Sequence, residues 1–235
     1  MAKRRLFYRF HIWLSWIVGL QIVIWVATGL FMALSPIETV RGEHLARKPE
    51  TIDLRSTAVQ LPGTIAAREK QPVERMLLKT WLGRPTYEIH YADGRAALVD
   101  AVSGKRLSPL TGTAAEMAAR AVYAGGEPMA EATRVDPKAI PLDFRRDEPA
   151  WAVRFHNAVI STGGTIFYVS AETGEVLARR TDRWRLYDLM WGLHIMDYGG
   201  RTNFNTPWLA VISALSLISV LAGGALLFLR RRWGP

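Results

Sequence analysis

Two histidines stand beside the two long apolar segments of this chain, where an imidazole could ligate a haem iron. His11 directly precedes Ile12–Leu34, and His194 lies shortly before Pro207–Leu229. Neither segment contains a charged residue. Histidines from membrane helices commonly hold haem, and the axial ligand sets the chemistry of the iron. His11 and His194 are therefore candidate cofactor-binding residues, as ligands of a haem iron.

The two apolar segments predict a membrane hairpin. A hydrocarbon core about 30 Å thick takes roughly 20 apolar residues as a helix, so residues 12–34 and 207–229 can each span a bilayer. The first is too long for the apolar part of a signal peptide and lacks a small-residue cleavage site, so an uncleaved anchor is expected. Basic residues flank both spans on the terminal side: Lys3, Arg4, Arg5, Arg9, Arg230, Arg231 and Arg232.

The basic flanks set the expected orientation, because Lys and Arg next to spans remain in the cytoplasm. Tails 1–11 and 230–235 are predicted to be cytoplasmic, and the central domain to be periplasmic on a bacterial inner membrane. His11 and His194 then lie at opposite membrane faces, about 30 Å apart, and cannot ligate the same haem. A homodimer would supply a second histidine at each face, and another membrane subunit could do the same.

Each histidine also has a simpler interpretation. His11 could contact lipid phosphate at the cytoplasmic surface. His194 lies in Arg183–Gly199, which is rich in Trp and Tyr and predicts an amphipathic helix on the outer surface, within an interfacial segment 183–206. A helix there would place five side chains on one side: Tyr187, Met190, Trp191, His194 and Tyr198.

Composition and motifs narrow the function further. The formal charge of +9 is concentrated at the span flanks, so no nucleic-acid partner is expected. The chain has no cysteine, which excludes thiol catalysis and disulfides. We recognise no hydrolase or phosphate-binding motif and no zinc-ligand spacing, and hence predict no catalytic residue and no metal site other than haem iron.

The segment between the spans repeats itself. Residues 87–108 and 151–178 each show a strand, a turn and a second strand, and each ends in a D/S-A-x-[ST]-G-[KE]-x-L pattern. Helices are predicted at 57–69 and at 113–123, the latter with a Thr113–Glu116 capping box. The pattern predicts an α+β domain of two helix–strand–strand repeats. A linker is expected at 35–56, repeat 1 at 57–110 and repeat 2 at 111–182, with a joining loop at 124–150 inside repeat 2.

Two further groups of residues are assigned expected roles. Small residues on the spans predict close helix packing, against the other span or against a second protomer. These are Gly19, Gly29, Ser219 and Gly223. A basic cluster just outside the second span predicts contact with an anion, a partner or lipid phosphate. Its members are Arg179, Arg180, Arg183 and Arg185.

Several of these motifs together resemble the PepSY-associated transmembrane family, with PepSY domains in tandem. The resemblance rests on the two D/S-A-x-[ST]-G turns, on Phe10–Leu14 and Thr28-Gly29 of the first span, and on Leu193-His194. Some relatives in that family are similar to periplasmic ferrisiderophore reductases that hold b-type haem on histidines. Other PepSY proteins inhibit proteases or have no assigned activity.

Two functions from different classes follow. In the first, the chain is an electron-transfer or accessory subunit that passes electrons through b haem to a periplasmic acceptor such as a ferric siderophore. In the second, it is a non-catalytic binding or regulatory module that docks a periplasmic partner or a membrane complex. The resemblance and the two histidines favour the first function, and the lack of a catalytic constellation favours the second.

Overall fold

A computed structural model describes residues 2–48, 52–53, 55, 57–125, 129–156 and 164–232. The chain divides into two compact units. One consists of Met1–Pro36 with Leu186–Pro235, and the other is Ile37–Arg185. The helices are α1 (Ala2–Ala33), α2 (Ile37–Val40), α3 (Pro62–Ala66), α4 (Gly112–Val122), α5 (Asp182–His194) and α6 (Pro207–Arg232), with a short 3-10 turn at Glu43–Leu45.

The first unit contains a pair of packed helices, α1 and α6. Ile12–Ala33 and Pro207–Ala225 are long and apolar enough to cross a membrane, as predicted. Most of their side chains face outward, and Trp13, Trp16 and Trp208 are at least 70% exposed. Outward apolar faces of this kind suit lipid tails, so the pair has the surface of a membrane hairpin.

The second unit begins with a three-stranded antiparallel sheet. Its strands β1 (Val73–Trp81), β2 (Arg84–Tyr91) and β3 (Ala96–Asp100) lie in the order β1-β2-β3. Helix α3 contributes Ile65 to a core cluster with β2 and β3. Tyr87, Ile89 and Tyr91 all join this core, because alternate residues of a strand point to the same face.

A four-stranded antiparallel sheet completes the second unit. The strands β4 (Met129–Arg134), β5 (Ala150–His156), β6 (Thr165–Ser170) and β7 (Val176–Arg180) lie in sequence order. Helix α4 places Ala115 and Ala119 against the aromatic rings of Phe155 and Phe167. The small side chains let the helix approach the sheet closely, so one face of each sheet is covered by a helix.

Some local expectations were wrong. Strand β4 lies inside the segment 124–150 that was predicted to be a loop. Strand β1 precedes the first predicted hairpin. Helix α3 is therefore followed by three strands and α4 by four, where two were predicted after each. The cap of α4 is Thr111, whose side chain accepts a hydrogen bond from Ala114 N. Thr113 already lies inside the helix, and Glu116 pairs instead with Arg120 one turn later.

The two D/S-A-x-[ST]-G turns each accept an equivalent backbone hydrogen bond. In the first turn, the Ala101 carbonyl accepts from Gln60 N at 2.8 Å. In the second turn, the Ala171 carbonyl accepts from Leu110 N at 2.7 Å. In both cases the donor lies shortly before the helix that packs on the same sheet, and the two turns therefore hold the entering chain in the same way.

The first residue of each turn differs, but its side chain makes the same bond. Asp100 Oδ1 accepts from Ser103 N at 2.7 Å, and Ser170 Oγ accepts from Thr173 N at 3.2 Å. Asp100 is half-buried, whereas Ser170 is 3% exposed. A neutral hydroxyl loses less hydration free energy than a carboxylate when it is buried, and the buried turn accordingly carries serine.

Candidate functional site

His194 is the last residue of α5, and its ring lies against α1. The imidazole Nδ1 is 2.9 Å from the hydroxyl of Thr28, a residue that is 4% exposed. Both residues belong to motifs that the sequence singled out separately, and the structure brings the two motifs into contact. His194 itself is half-buried.

Gly29 makes room for this ring. A Cβ added at Gly29 would lie 3.5 Å from His194 Cε1, which is ordinary contact distance, so the ring lies close against the α1 backbone at this position. By contrast, a Cβ on Gly19 or Gly223 would meet no other atom within 4 Å among the described residues. Ser219 is half-buried on α6. Packing of these three positions against a second protomer stays a prediction.

The end of α5 that carries His194 is fixed by a tight terminal motif. Asp197 N donates to Gly192 O at 3.1 Å, and Met196 between them has a φ of 54°. A bond of this span next to a left-handed residue is a Schellman-type C-cap. The helix predicted to continue to Gly199 therefore ends at His194, and Tyr198 lies beyond it.

A buried ion pair clamps the loop after α5 back onto the helix. Arg201 Nη1 donates to Asp188 Oδ2 at 2.9 Å, and the side chain of Asp188 is 7% exposed. The Arg201 stem passes over Gly192, where a Cβ would come within 2.8 Å of Arg201 Cγ. Trp191 Nε1 also donates to the Arg201 carbonyl at 3.1 Å. These contacts hold the chain around His194 in one arrangement.

His11, the second candidate ligand, lies in α1. Its side chain is outside the described part of the structure, so its role stays a prediction. Eighteen residues of helix separate it from Gly29, and at 1.5 Å per residue the rise is about 27 Å. The two candidate histidines therefore remain associated with opposite ends of the first span.

The basic cluster before the second span divides into two kinds of residue. Arg185 donates to Gly164 O at 2.9 Å and pairs with Asp182 at 2.9 Å. Arg180 donates to the Asp143 carbonyl and lies 4.1 Å from the ring centre of Trp184. Burial lowers the pKa of Arg180. These two guanidinium groups have acceptors within the chain, and of the other two Arg183 is exposed and Arg179 is half-buried.

A second candidate site is a cleft of about 930 Å³ in the Ile37–Arg185 unit. The side formed by residues 147–177 carries four acids: Asp147, Glu148, Glu172 and Glu175. The side formed by residues 68–106 carries both signs: the bases Arg68, Lys70, Arg95 and Arg106, and the acids Glu69, Glu88 and Asp93. The 147–177 side is therefore acidic and the 68–106 side is of mixed charge, which suits a polypeptide segment with both signs.

A buried carboxylate lies at the bottom of this cleft. Glu88 is 5% exposed, accepts from Lys79, and lies 2.6 Å from His90 Nε2. Burial opposes its charge, but the hydrogen bonds and positive charges of Lys79 and His90 outweigh burial and lower the pKa of Glu88. Lys79 also reaches the Thr173 carbonyl at 3.2 Å and Glu175 at 3.2 Å, so it links the two sheets.

An indole supports the same junction. Trp81 Nε1 donates to the Gly174 carbonyl at 3.2 Å, and Gly174 has a φ of 70°. A Cβ on Gly174 would overlap the indole ring. The second turn of the repeated pattern is thus covered by a side chain from β1, a contact that no sequence pattern indicated.

Comparison with known families decides the assignment. Residues 1–231 match the model described as the PepSY-associated TM region. The chain belongs to this family. No curated protein and no solved structure gives a match. The family confirms a membrane-associated PepSY protein, as the resemblance implied.

The surroundings of His194 in this PepSY-associated protein would allow its imidazole to hold a haem iron. One ring nitrogen is held by Thr28, and the part of the chain that the structure describes places no hydrogen-bond partner on Nε2. Gly29 leaves space beside the ring. Across the described residues, no three His, Asp or Glu side chains gather in a way that could hold a metal ion.

Proposed function

We propose that this PepSY-associated protein is a b-haem electron-transfer or accessory subunit of the bacterial inner membrane, linked to reduction of ferric siderophores. Its termini would lie in the cytoplasm and the Ile37–Arg185 unit in the periplasm. The observation that carries the proposal is the contact of His194 with Thr28 and Gly29, because it sets an anchored imidazole against the first span.

Haem bound at these positions would supply one-electron transfer across the membrane. His194 would ligate the iron near the outer face, and His11 near the inner face. Each chain provides one histidine per face, so a twofold homodimer or another membrane subunit is needed for a second ligand.

Polar atoms in the helix pair support an added partner. Gln21 Nε2, Trp25 Nε1 and Ser216 Oγ are buried and have no hydrogen-bond partner among the described residues. In hydrocarbon an unsatisfied donor costs several kcal/mol, so a further helix that lets these side chains repack and offers acceptors would stabilise them.

The Ile37–Arg185 unit would dock the electron acceptor. We propose that it consists of two PepSY-like repeats, because Ala101 and Ala171 accept equivalent hydrogen bonds and Asp100 and Ser170 make equivalent turns. The charged cleft and the exposed Arg183 offer the docking surfaces, and basic side chains favour an anionic ferric chelate.

A reduced-minus-oxidised absorption spectrum tests the proposal. The protein is purified in mild detergent from cells grown with haem precursor, alongside His11→Ala and His194→Ala. Each substitution should remove one b-type haem, seen as roughly half of the α-band amplitude. His44→Ala is the matched control, because His44 is exposed in the linker and should leave the spectrum unchanged. A wild-type protein without a b-type Soret shift contradicts the proposal.

The second candidate function is a non-catalytic binding module, and a cleft with one acidic side and one side of mixed charge favours it. Here the hairpin is an anchor, and the cleft binds a segment of a periplasmic or membrane partner. Crosslinking in membranes from a residue on the cleft rim, compared before and after charge reversal of Glu172, tests this function. His11→Ala and His194→Ala should leave such crosslinks intact.

A further inference from the structure

We propose that Thr28 is a positioning residue that sets the tautomer of His194. Its hydroxyl holds the imidazole with the proton on Nδ1, so that Nε2 presents an unshared electron pair. The inference deepens the proposed function, and only its use of haem rests on that function. The tautomer itself follows from hydrogen bonds within this chain.

The hydrogen bonds of Thr28 can be counted. A hydroxyl has one hydrogen to donate, and Thr28 Oγ1 lies 2.7 Å from Ile24 O and 3.2 Å from Trp25 O. A carbonyl oxygen can only accept, so Thr28 makes these bonds only when its single hydrogen is directed at the carbonyls. The remaining contact, 2.9 Å to His194 Nδ1, then requires Nδ1 to donate.

The opposite tautomer would be disfavoured at this place. With the proton on Nε2, Nδ1 and Thr28 Oγ1 would face each other as two acceptors, unless Thr28 gave up its bond to Ile24 O. Thr28 is 4% exposed, so water has little access to repair the loss. One unmade hydrogen bond of this kind shifts an equilibrium by about tenfold.

The tautomer of His194 determines which of its ring nitrogens can bind an electrophile. Free histidine in water favours the proton on Nε2, and Thr28 reverses this preference. The other ring nitrogen of a ligating histidine commonly donates to an oxygen, and this bond orients the ring and raises its basicity. Here the donor is Nδ1, its acceptor is the Thr28 hydroxyl, and the free position is Nε2.

Nitrogen-15 NMR of the full chain in detergent micelles tests the tautomer without haem. The protein is labelled at histidine, and the His194 resonances are assigned by their absence from His194→Gln. Above the range where imidazole is protonated, we expect a protonated-type shift for Nδ1 and an unprotonated-type shift for Nε2. A wild-type spectrum with the proton on Nε2 overturns the proposal.

Two substitutions of nearly equal size isolate the hydroxyl. Thr28→Val keeps the branched shape but removes the acceptor, so the Nδ1-protonated fraction should fall by about tenfold relative to the other tautomer. Thr28→Ser keeps the acceptor and should retain the wild-type spectrum. An unchanged tautomer in Thr28→Val also overturns the proposal, and the resonances of His90, which pairs with Glu88, report whether the Ile37–Arg185 unit is folded.

Haem titration separates this inference from the proposed function. If the wild-type chain binds haem, Thr28→Val should bind it about 10 to 100 times more weakly, and Thr28→Ser should bind normally. If no variant binds haem but the Nδ1 proton is present in the wild type, the proposed function fails and the tautomer assignment stands. Equal haem affinity in Thr28→Val and wild type contradicts a positioning role toward haem.

Discussion

Gly174→Ala tests the junction between the two sheets. An alanine at a φ of 70° is strained by roughly 1–2 kcal/mol. The new methyl group would also overlap the Trp81 indole and break the 3.2 Å bond from Trp81 Nε1 to the Gly174 carbonyl, a further loss of about 1 kcal/mol. The free energy of unfolding should therefore fall by about 3 kcal/mol.

Gly94→Ala is the matched control, because Gly94 has a φ of 82° and a Cβ there would meet no described atom within 4 Å. It should lose only the strain, about 1–2 kcal/mol. Urea unfolding of both variants in mild detergent, followed by near-UV circular dichroism, measures the difference. In a Trp81→Ala background, the cost of Gly174→Ala should drop to that of Gly94→Ala.

Equal losses in Gly174→Ala and Gly94→Ala would refute the reasoning. That result would mean that the indole does not bear on the turn in solution. A loss at Gly174 that persists unchanged when Trp81 is absent would lead to the same conclusion, since only the backbone strain would then remain to explain it.

Three other predictions concern the same unit. Lys79→Met should lower the free energy of unfolding by about 3 kcal/mol, because it leaves the buried carboxylate of Glu88 with His90 alone. The pKa of Glu88 is lowered on folding, so its contribution is present above its ordinary value near 4.5 and lost as the pH falls through the lower folded value; unfolding between about pH 5 and 3 measures this. Thr111→Ala should cost about 1 kcal/mol by removing the cap of α4.

Each of these has a control in the chain. Lys70→Met removes an exposed cation from the same cleft and should change the unfolding free energy little. Glu88→Gln should abolish its part of the pH dependence, and an unchanged acid profile would contradict the assigned pKa direction. Thr113→Ala lies on an exposed helical position, so a loss equal to that of Thr111→Ala would rule out Thr111 as the cap.

The sequence predicted those parts of the fold that depend on local pattern. Uncharged runs predicted both spans, and the strand–turn–strand pattern predicted β2 and β3, because each of these signals lies within a single segment of the chain. Strand β1 was missed because Glu74 and Arg75 interrupt its apolar residues, and as an edge strand it is only partly covered. Hydrogen bonding to β2 stabilises strand β1 despite the weak apolar pattern of its own sequence.

The candidate site was predictable in its residues but not in its contacts. Family motifs named His194 and Thr28-Gly29, which lie far apart in the sequence. Nothing in either segment indicates that the Thr28 hydroxyl and His194 Nδ1 make a hydrogen bond, since this bond depends on how the α5 terminus meets α1. The pairing of Arg201 with Asp188 could not be predicted either. It requires a glycine at position 192 to make room for the Arg201 side chain, and the local backbone conformation does not itself demand a glycine there.

The exposed tryptophans at the two ends of the hairpin have a consequence for hydrophobic mismatch. Indoles prefer the membrane–water boundary, so Trp13 and Trp16 at one end and Trp208 at the other fix the depth of the helix pair. Thr28 lies five residues before the end of α1, on the order of 8 Å from it. In a bilayer thinner than the hairpin, the helix pair tilts, or the end that carries Thr28 moves toward the headgroups. The exposure of the Thr28–His194 hydrogen bond to water therefore depends on lipid chain length.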